Sequence, residues 1–254
     1  MTQVTPVTVQ FTLTTAPSVV SIEDTIHDLL GFTTAEFLDG TTQWLSLVHP
    51  DDQDIIDRLF SPTLTPVNGH FNIRMRHADG RIRCIRGNYT LSTDAEPSPL
   101  LTLHLADARR LYTETATPLT PSFVAMMENT DDFIFFKDRN HVMTGASQTL
   151  VPITSQTEHW TDLLGKTDYD LFPEAYADVY YRLEKQVFTG FPVAHEVQEY
   201  LANDGHKGWV DNRKYPIRDA NGQIVGLFGV ARDITDIKRA DEALMESEHR
   251  FKAI

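Results

Sequence analysis

The stretch GVARDITDIKRADEAL, from Gly229 to Leu244, joins two kinds of secondary structure with almost nothing between them. Its first half has the pattern of the end of a β-strand, and its second half is rich in strong helix formers. Only Asp233-Ile234-Thr235 lies between the two patterns. We therefore predict a strand that leads directly into a charged helix, through a joint that passes movement of one element to the other.

The end of this strand has a counterpart earlier in the chain, which indicates an internal repeat. Three landmarks recur in the same order in the two halves, and their spacings agree within two residues. They are LVHPDD (47–52), HADG (77–80) and LHLADA (103–108) in the first half, and DLFPEA (170–175), ANDG (202–205) and GVARDI (229–234) in the second. The pattern predicts one fold used twice, with a chance match of common residues as the alternative.

Each half contains the same run of predicted elements. Strand patterns flank each Asp-Gly pair, which is typical of a hairpin because glycine accepts the positive φ that such turns need. A long helix begins at the proline of each first landmark, where the acidic residues that follow suit the positive end of the helix dipole. Two more strands, DFIFFKD (132–138) and HVMTGAS (141–147), open the second half. The sequence therefore predicts an α+β fold, with helices on one face of each antiparallel sheet.

The repeat also predicts the domain boundaries. A first domain takes residues 1–112 and a second takes residues 122–235, while TETATPLTP (113–121) has the threonine and proline content of an extended linker. The second domain opens with an amphipathic helix, SFVAMMEN (122–129), whose apolar face packs on the sheet or, alternatively, contacts a second copy. Residues 236–254 form the final helix.

The composition excludes several classes of protein. A formal net charge of −14 opposes non-specific binding to a nucleic-acid backbone. The N-terminus, MTQVTPVTVQ, lacks the basic and apolar segments of a secretory signal, and the longest apolar run (224–231) is too short to cross a bilayer. The single cysteine, Cys84, excludes an internal disulfide and multi-cysteine metal sites. We expect a cytoplasmic protein, or part of one, without a membrane span or a nucleic-acid partner.

These motifs resemble a known family, the PAS domains, present here in tandem. The first half resembles the subgroup with HPDD (49–52), DLLGF (28–32) and DGRIRCIRG (79–87), and the second the subgroup with FFKD (135–138), LLGKTDYDLFP (163–173) and a final GVARDIT (229–235). The resemblance implies a five-stranded antiparallel sheet in each half and a role as a sensor in a bacterial signal-transduction protein. It also implies an effector such as a histidine kinase, a diguanylate cyclase or a phosphodiesterase.

Two departures from the family pattern bear on function. Many PAS domains carry an asparagine after the second strand, but Glu23 stands near that place in the first half, and Ala146 and Ser147 in the second. Asp107 of the first half is followed by alanine and arginine rather than by isoleucine and threonine. We therefore expect no ligand contact at the asparagine position, and a less direct output from the first domain.

Signatures of catalysis and of cofactors are missing from the sequence. LLGKT (163–167) lacks the preceding glycine of a phosphate-binding loop, and no nucleophile elbow occurs. His49 is expected to cap a helix rather than to bind a metal. By the resemblance, haem would need a histidine within the long helix, which 51–60 and 174–188 lack, and flavin chemistry would need a cysteine elsewhere than Cys84. We expect a colourless protein with no enzymatic activity and no bound metal, haem or flavin.

Candidate ligand-binding residues lie in the second domain. They are Phe133, Phe135 and Lys137 on its first strand, Tyr180, Leu183 and Val187 at helical spacing on the long helix, and Trp209 and Phe228 on later strands. Such residues either line a cavity for a small ligand or pack as ordinary core. Lys137 either offers a cation to an anionic ligand or extends from the strand end into water.

The candidate transmission residues are Asp233, Ile234 and Thr235. Thr235 is expected to cap the helix that follows. Asp233 is expected to pair with a basic residue of the neighbouring hairpin, for which Arg213, Lys214 and Arg218 are the candidates.

The final helix has a heptad seam, formed by Ile237, Ala240, Leu244, Ser247, Phe251 and Ile254. The spacing favours a short parallel coiled coil and hence a homodimer, with a single helix packed on its own domain as the alternative. The tail SEHRFKAI (247–254) resembles the start of a further PAS domain, so we expect the polypeptide to continue. The sequence thus favours a sensory module that regulates an effector through this helix over a ligand-free dimerisation module or an enzyme.

Overall fold

The computed structural model describes residues 6–14, 17–61, 63–65, 67–93, 95, 98–112, 120–154, 157–201 and 205–252, without the side chains of Leu201 and of residues 246–252. The chain divides into two compact units, Met1–Tyr112 and Thr113–Ile254. Each unit contains one five-stranded antiparallel sheet together with helices. The predicted α+β fold with two similar halves is confirmed.

The first unit has strands β1 (Val7–Thr12), β2 (Ser18–Ile22), β3 (Asn68–Arg76), β4 (Ile82–Ser92) and β5 (Leu100–Asp107). Between β2 and β3 lie α1 (Ile26–Leu30), α2 (Thr34–Leu38), α3 (Trp44–Leu47) and α4 (Gln53–Leu59). The strand order is β2-β1-β5-β4-β3. The last strand of the unit therefore lies at the centre of its sheet.

The second unit begins with α5 (Pro121–Asn129), β6 (Phe133–Asp138) and β7 (Met143–Ala146), followed by α6 (Asp168–Leu171) and α7 (Glu174–Phe188). It ends with β8 (Ala194–Leu201), β9 (Lys207–Arg218), β10 (Ile224–Asp233) and α8 (Thr235–Lys252). The strand order β7-β6-β10-β9-β8 repeats that of the first unit. Within the described residues, no helix combines the length and the apolar character needed to span a bilayer.

Helix α5 begins at Pro121, one residue before the predicted boundary, and the side chain of Thr120 accepts a hydrogen bond from the N–H of Phe123. Phe123 packs against the ring of Phe136, and Met127 is fully buried, so the helix packs on its own unit. Met126 of the same helix is exposed. Residues 113–119 of the predicted linker lie outside the described residues.

The predicted hairpin at Asp79-Gly80 is present between β3 and β4. The N–H of His77 donates to the carbonyl of Arg81, and Gly80 has a φ of 84°, which glycine adopts without strain. Gly205 has the same φ, but residues 202–204 of the second predicted hairpin lie outside the described residues.

The HPDD motif of the first unit organises the start of α4. The ring of His49 accepts a hydrogen bond from the N–H of Asp51, as expected for a capping role. Asp52 is fully buried and accepts two hydrogen bonds from the guanidinium of Arg74, at 2.9 and 3.0 Å. The motif therefore holds the long helix to β3 through a paired buried charge.

Candidate functional site

A cavity lies in the second unit between the inner face of the sheet and the helical segments that cover it. Its space for the centre of a water-sized molecule is about 30 Å³, so the cavity is small. Five aromatic residues line it, namely Phe133, Phe135, Phe172, Tyr180 and Tyr200, together with five aliphatic or thioether side chains. The polar residues of its wall are Asp168, Asn212 and Lys214. A mainly apolar wall with a few polar groups is the usual make-up of a small-molecule site.

Three of the residues expected to bind a ligand line this cavity: Phe133, Phe135 and Tyr180. Leu183 and Val187 lie on the same helix as Tyr180 and are buried, but they belong to the surrounding core and not to the cavity wall. The helical spacing placed all three on the correct face of α7.

The expectation that Trp209 and Phe228 face the cavity is wrong. Side chains alternate between the two faces of a strand, and Val210 lines the cavity, so its neighbour Trp209 lies on the opposite face. There the Trp209 ring lies 5.4 Å from the Nζ of Lys238 on α8. Phe228 lies on the same outer face, where its ring stacks on Tyr215 at 5.1 Å. Aromatic character by itself does not determine which face of a sheet a residue occupies.

Lys137 lies on the predicted inner face of β6, but it neither lines the cavity nor reaches water. Its side chain is 1% exposed, and its Nζ donates to Asp168 Oδ2 at 2.5 Å and to Glu184 Oε1 at 2.6 Å. Its anionic partners are thus side chains of this unit. The alternative that Lys137 extends into solvent is wrong.

Glu184 of α7 is the centre of a cluster of buried charges. Its Oε1 accepts hydrogen bonds from both Lys137 and Lys214, the latter at 2.7 Å. Its Oε2 lies 2.7 Å from Nδ1 of His141, whose ring stacks on Tyr181. Two ammonium groups therefore face two carboxylates, those of Glu184 and Asp168, so the charges of the cluster balance.

The pKa values follow from this arrangement. Burial alone would raise the pKa of Glu184, but the two lysines and the hydrogen bond with His141 outweigh it and hold that pKa well below its usual value. Burial disfavours the charge on Lys137, yet the two carboxylates beside it prevail and raise its pKa. For Lys214 burial prevails over the attraction of Glu184 and lowers the pKa. Glu184 and Lys137 therefore remain ionised at neutral pH.

Sequence reasoning missed the polar part of this site, although a signal was available. Glu184 lies four residues after Tyr180 and three before Val187, so helical spacing places it on their buried face. Asn212 and Lys214 follow Val210 at alternate positions of β9, hence on the inner face of the sheet. Polar side chains such as those of Asn212 and Lys214 are usually exposed to solvent, but their alternate positions on the strand indicate that they are buried.

The joint between β10 and α8 is held by reciprocal hydrogen bonds to β9. The N–H of Ile234 donates to the carbonyl of Trp209 at 2.8 Å, and the hydroxyl of Thr235 accepts from the N–H of Trp209 at 2.9 Å. Asp233 accepts from the N–H of Thr235 at 2.8 Å and from the hydroxyl of Tyr200 at 2.6 Å. The first turn of α8 is therefore tied to both β8 and β9.

Two expectations about the joint are wrong. The basic candidates are engaged elsewhere: Arg213 pairs with Asp211, Lys214 with Glu184, and Arg218 donates to the carbonyl of Gly222. Thr235 lies within the first turn of α8, and its hydroxyl binds strand β9 instead of capping the helix. The carboxylate of Asp233 accepts a hydrogen bond from the N–H of Thr235 just before the helix. Burial alone would raise the pKa of Asp233, but its hydrogen bonds with Thr235 and Tyr200 outweigh burial and lower that pKa.

Tyr200 belongs both to the cavity wall and to the joint. Its ring lies 5.8 Å from that of Phe133, and its hydroxyl donates to Asp233. Burial, together with the carboxylate of Asp233, raises the pKa of Tyr200 to about 12, so the phenol remains a donor at neutral pH. Gly208 allows this approach, because a Cβ there would lie 2.4 Å from the Tyr200 ring and 2.5 Å from the hydroxyl oxygen of Thr235.

We expect Gly208→Ala to loosen the joint, because the new methyl group must displace either Tyr200 or Thr235. The cost is about 1–3 kcal/mol of unfolding free energy, as for other overpacked sites. Hydrogen exchange at the Ile234 and Lys238 amides should accelerate. Gly145→Ala, which meets the Phe123 ring far from the joint, should leave those two amides unchanged; equal acceleration in both variants would contradict the prediction.

Helix α8 leaves the described part of its heptad seam uncovered. Ile237 and Leu244 are 60% and 61% exposed, and Ala240 is also exposed. These three residues are not packed against the rest of the unit, so the alternative of a helix packed on its own domain is wrong for them. The side chains of Ser247 and Phe251, and the whole of Ile254, lie outside the described residues.

Comparison with known families gives two matches, both to models described as the PAS fold. They cover residues 19–103 and residues 127–239. One match falls in each structural unit, and together they include five of the six landmarks of the repeat, all but LHLADA (103–108). The resemblance inferred from the sequence is confirmed.

Several curated proteins are similar to parts of the chain. The methanogenesis regulatory histidine kinase FilI of Methanothrix harundinacea is 26% identical over 162 residues, which cover 62% of this chain and 18% of that protein. A diguanylate cyclase of Vibrio cholerae is 36% identical over 86 residues, or 33% and 27% of the two chains. The aerobic respiration control sensor protein ArcB of Escherichia coli is 29% identical over 121 residues, or 47% and 15%. The chain thus spans less than a third of the length of each relative.

Proposed function

Because the chain consists of two PAS-fold domains in tandem, we propose that it is a cytoplasmic sensory and signal-relay module. The second domain detects a small molecule in its cavity, and α8 carries the result to an effector in the same polypeptide. The effector is a histidine kinase or an enzyme of cyclic-di-GMP metabolism. The names of the similar proteins, a regulatory histidine kinase and a diguanylate cyclase, support this choice.

The observation that carries the proposal is the hydrogen bond between Tyr200 and Asp233. Tyr200 lines the cavity, and Asp233 lies at the start of α8. A molecule in the cavity that displaces the Tyr200 ring must stretch or redirect this bond. The first turn of α8 then moves, because the same carboxylate also holds the N–H of Thr235.

Strand β9 offers a parallel route from the cavity to the helix. Val210 and Asn212 line the cavity, and Trp209 holds Ile234 and Thr235 through its backbone. A shift of β9 would therefore reach α8 through Trp209 even if Tyr200 stayed in place. Both routes end in the first turn of the helix.

The output acts on a homodimer. The exposed Ile237 and Leu244 of one protomer pack against their counterparts in a short parallel coiled coil, which buries apolar side chains that are open to water in the single chain. Rotation or tilt at the joint changes how the two helices pack. A dimer that assembles through α8 without any ligand in the cavity is the alternative function.

The test uses a chimera in which α8 continues in heptad register into a histidine kinase. Ile153→Phe places a larger side chain at the cavity wall and imitates an occupant. We expect this change to alter kinase activity about fivefold or more, the lower range of allosteric coupling. Adding Tyr200→Phe, which removes only the hydroxyl that binds Asp233, should reduce the effect to less than about twofold.

The matched control is Tyr215→Phe, the same chemical change on the outer face of the sheet, where the ring stacks on Phe228. It should leave the effect of Ile153→Phe intact. If Ile153→Phe leaves kinase activity unaltered while the chimera remains dimeric, the ligand-free dimerisation module is the better description. If Tyr200→Phe and Tyr215→Phe behave alike, the route through Tyr200 is wrong.

A further inference from the structure

Strand β8 forms an edge of the sheet in the second unit. Among the strands that the structure describes, it pairs only with β9. Trp209 of β9 directs both its N–H and its carbonyl towards the joint, where they bond to Thr235 and Ile234. Its partner in the ladder, Glu199, therefore directs its own N–H and carbonyl away from β9, towards the outside of the sheet. By alternation along the strand, the same holds for Val197.

These outward groups leave the edge open. The N–H and the carbonyl of Val197 and of Glu199 form no hydrogen bond with any residue that the structure describes. An unpaired strand edge is a template for another extended chain, and many proteins protect such an edge with a lysine, a proline or a covering segment. Strand β8 contains neither lysine nor proline, and Val197 is 39% exposed. The edge can therefore accept a further strand.

The first unit closes the equivalent edge with its HPDD motif. Arg74 of β3 donates its N–H to Asp52 at 2.9 Å, and its carbonyl accepts from the N–H of His49 at 2.9 Å. In the second unit Glu199 stands where Arg74 does, six residues before the hairpin glycine. Ala175 stands where Asp52 does, two residues after the proline. Alanine offers no side-chain acceptor, so this closure cannot form at β8.

A groove runs along the open edge. Its walls are residues 196–199 of β8 and, on α7, Ala175, Tyr176, Val179 and Tyr180. Consecutive strand residues line it although their side chains alternate between the two faces of the sheet, so the groove follows the strand edge itself. It offers about 270 Å³ of space for the centre of a water-sized molecule, against about 30 Å³ in the cavity. A groove between a strand edge and a helix is suited to an added peptide strand.

The charge of the groove selects its occupant. The charged residues of its wall are both acidic, Glu196 and Glu199. Glu196 pairs with Arg182 at 2.8 Å, whereas Glu199 is exposed and has no ion-pair partner among the described residues. A second copy of this chain, with its net charge of −14, would bring the same carboxylates together, while a basic segment compensates them.

We propose that the open edge of β8 binds an extended basic segment of a partner protein, which adds a strand to the sheet of the second unit. Backbone hydrogen bonds to Val197 and Glu199 supply affinity, and alternate side chains supply specificity. The side chains that point towards α7 are apolar and pack on Tyr176 and Val179. Those on the other face lie beside Glu199 and are basic.

Three hexapeptides test this surface on the full chain. The first alternates lysine and valine, the second has glutamate in place of lysine, and the third is the first with a methyl group on every backbone nitrogen. Nuclear magnetic resonance follows the amide signals of Val197 and Glu199 at low ionic strength, where charges are least screened. We expect the lysine peptide to bind at least about tenfold more tightly than each of the other two and to slow hydrogen exchange at both amides.

Substitutions at the edge test the two kinds of contact separately. Glu199→Gln removes the unpaired charge and should weaken binding of the lysine peptide about threefold. Its matched control is Glu158→Gln, in an exposed residue whose carbonyl accepts from Gln148 next to β7, at the other edge of the sheet; it should have no effect. Val197→Pro removes an outward N–H that β9 does not use and should weaken binding about fivefold or more. If the proline variant does not fold, Val197→Lys, which repels the lysine peptide from an exposed position, takes its place.

Equal binding of the glutamate peptide or of the methylated peptide overturns the inference, as does the absence of a response at Val197 and Glu199. Protection of both amides that rises with the concentration of the chain alone would assign the edge to a second copy, and the proposal would then be wrong. The measurement needs neither an effector nor an occupant of the cavity. Its failure would therefore reject this surface and leave the proposed sensory function unaffected.

Discussion

Glu184→Gln is expected to lower the unfolding free energy of the second unit by about 3–5 kcal/mol, the usual cost of removing one partner from a buried ionic cluster. Glu184 is completely buried and faces two ammonium groups and an imidazole. Without its charge, Lys137 and Lys214 share the single carboxylate of Asp168. Denaturant unfolding, followed by the fluorescence of the buried Trp160, measures the loss.

The control is Glu196→Gln, the same substitution in an exposed ion pair with Arg182. It should cost no more than about 1 kcal/mol. Addition of Lys214→Met to Glu184→Gln removes one surplus ammonium and should recover part of the lost stability. A cost below about 1 kcal/mol for Glu184→Gln, or further destabilisation by Lys214→Met, would contradict the picture of a balanced cluster.

The same carboxylate contributes an acid-dependent part of the stability. The pKa of Glu184 is lower in the folded chain than its ordinary value of 4.5. Its stabilising effect is therefore complete above that pH and is lost as the pH falls through the folded pKa. The difference in unfolding free energy between the natural chain and Glu184→Gln should accordingly shrink below about pH 4.5. A constant difference between pH 7 and pH 3 would assign the stabilisation to packing.

Local patterns were sufficient to predict most of the fold. The hairpin at Asp79-Gly80 and the helix that begins beside Pro173 follow from residue chemistry within a few positions. The strands β1 and β2 of the first unit carry no such landmark. β1 is specified by pairing with β5, where Val9 lies opposite Leu103, and a contact so distant in the chain leaves no local motif.

In the candidate site, too, local patterns predicted some residues, and contacts between distant parts of the chain were missed. Periodicity alone placed Phe133 and Phe135 on the inner face of β6 and Tyr180 on the inner face of α7. The charged cluster was not predicted, because its hydrogen-bonded partners are 30 to 47 residues apart in the chain. A buried charge is stable only beside a partner of opposite charge, and a single sequence does not show which residues become partners.

A single substitution in the joint between β10 and α8 should change signal transmission without changing the fold. Asp233→Ala removes the acceptor of two hydrogen bonds, those from the N–H of Thr235 and from the hydroxyl of Tyr200. The side chain is exposed, so water can solvate the groups left behind, and the stability cost should be that of a lost helix cap, about 1 kcal/mol. The bonds between Trp209 and the first turn of α8 remain.

In the kinase chimera, we expect Asp233→Ala to reduce the effect of Ile153→Phe on activity from about fivefold to less than about twofold. Hydrogen exchange at the amide of Thr235 should accelerate in parallel, because its acceptor is gone. Asp236→Ala is the matched control: it removes the same charge from the first turn of α8 but none of the bonds of the joint. If the two variants respond alike, the helix dipole accounts for the effect. If Asp233→Ala retains the full response to Ile153→Phe, the backbone bonds of Trp209 carry the signal, and β9 is the transmitting element.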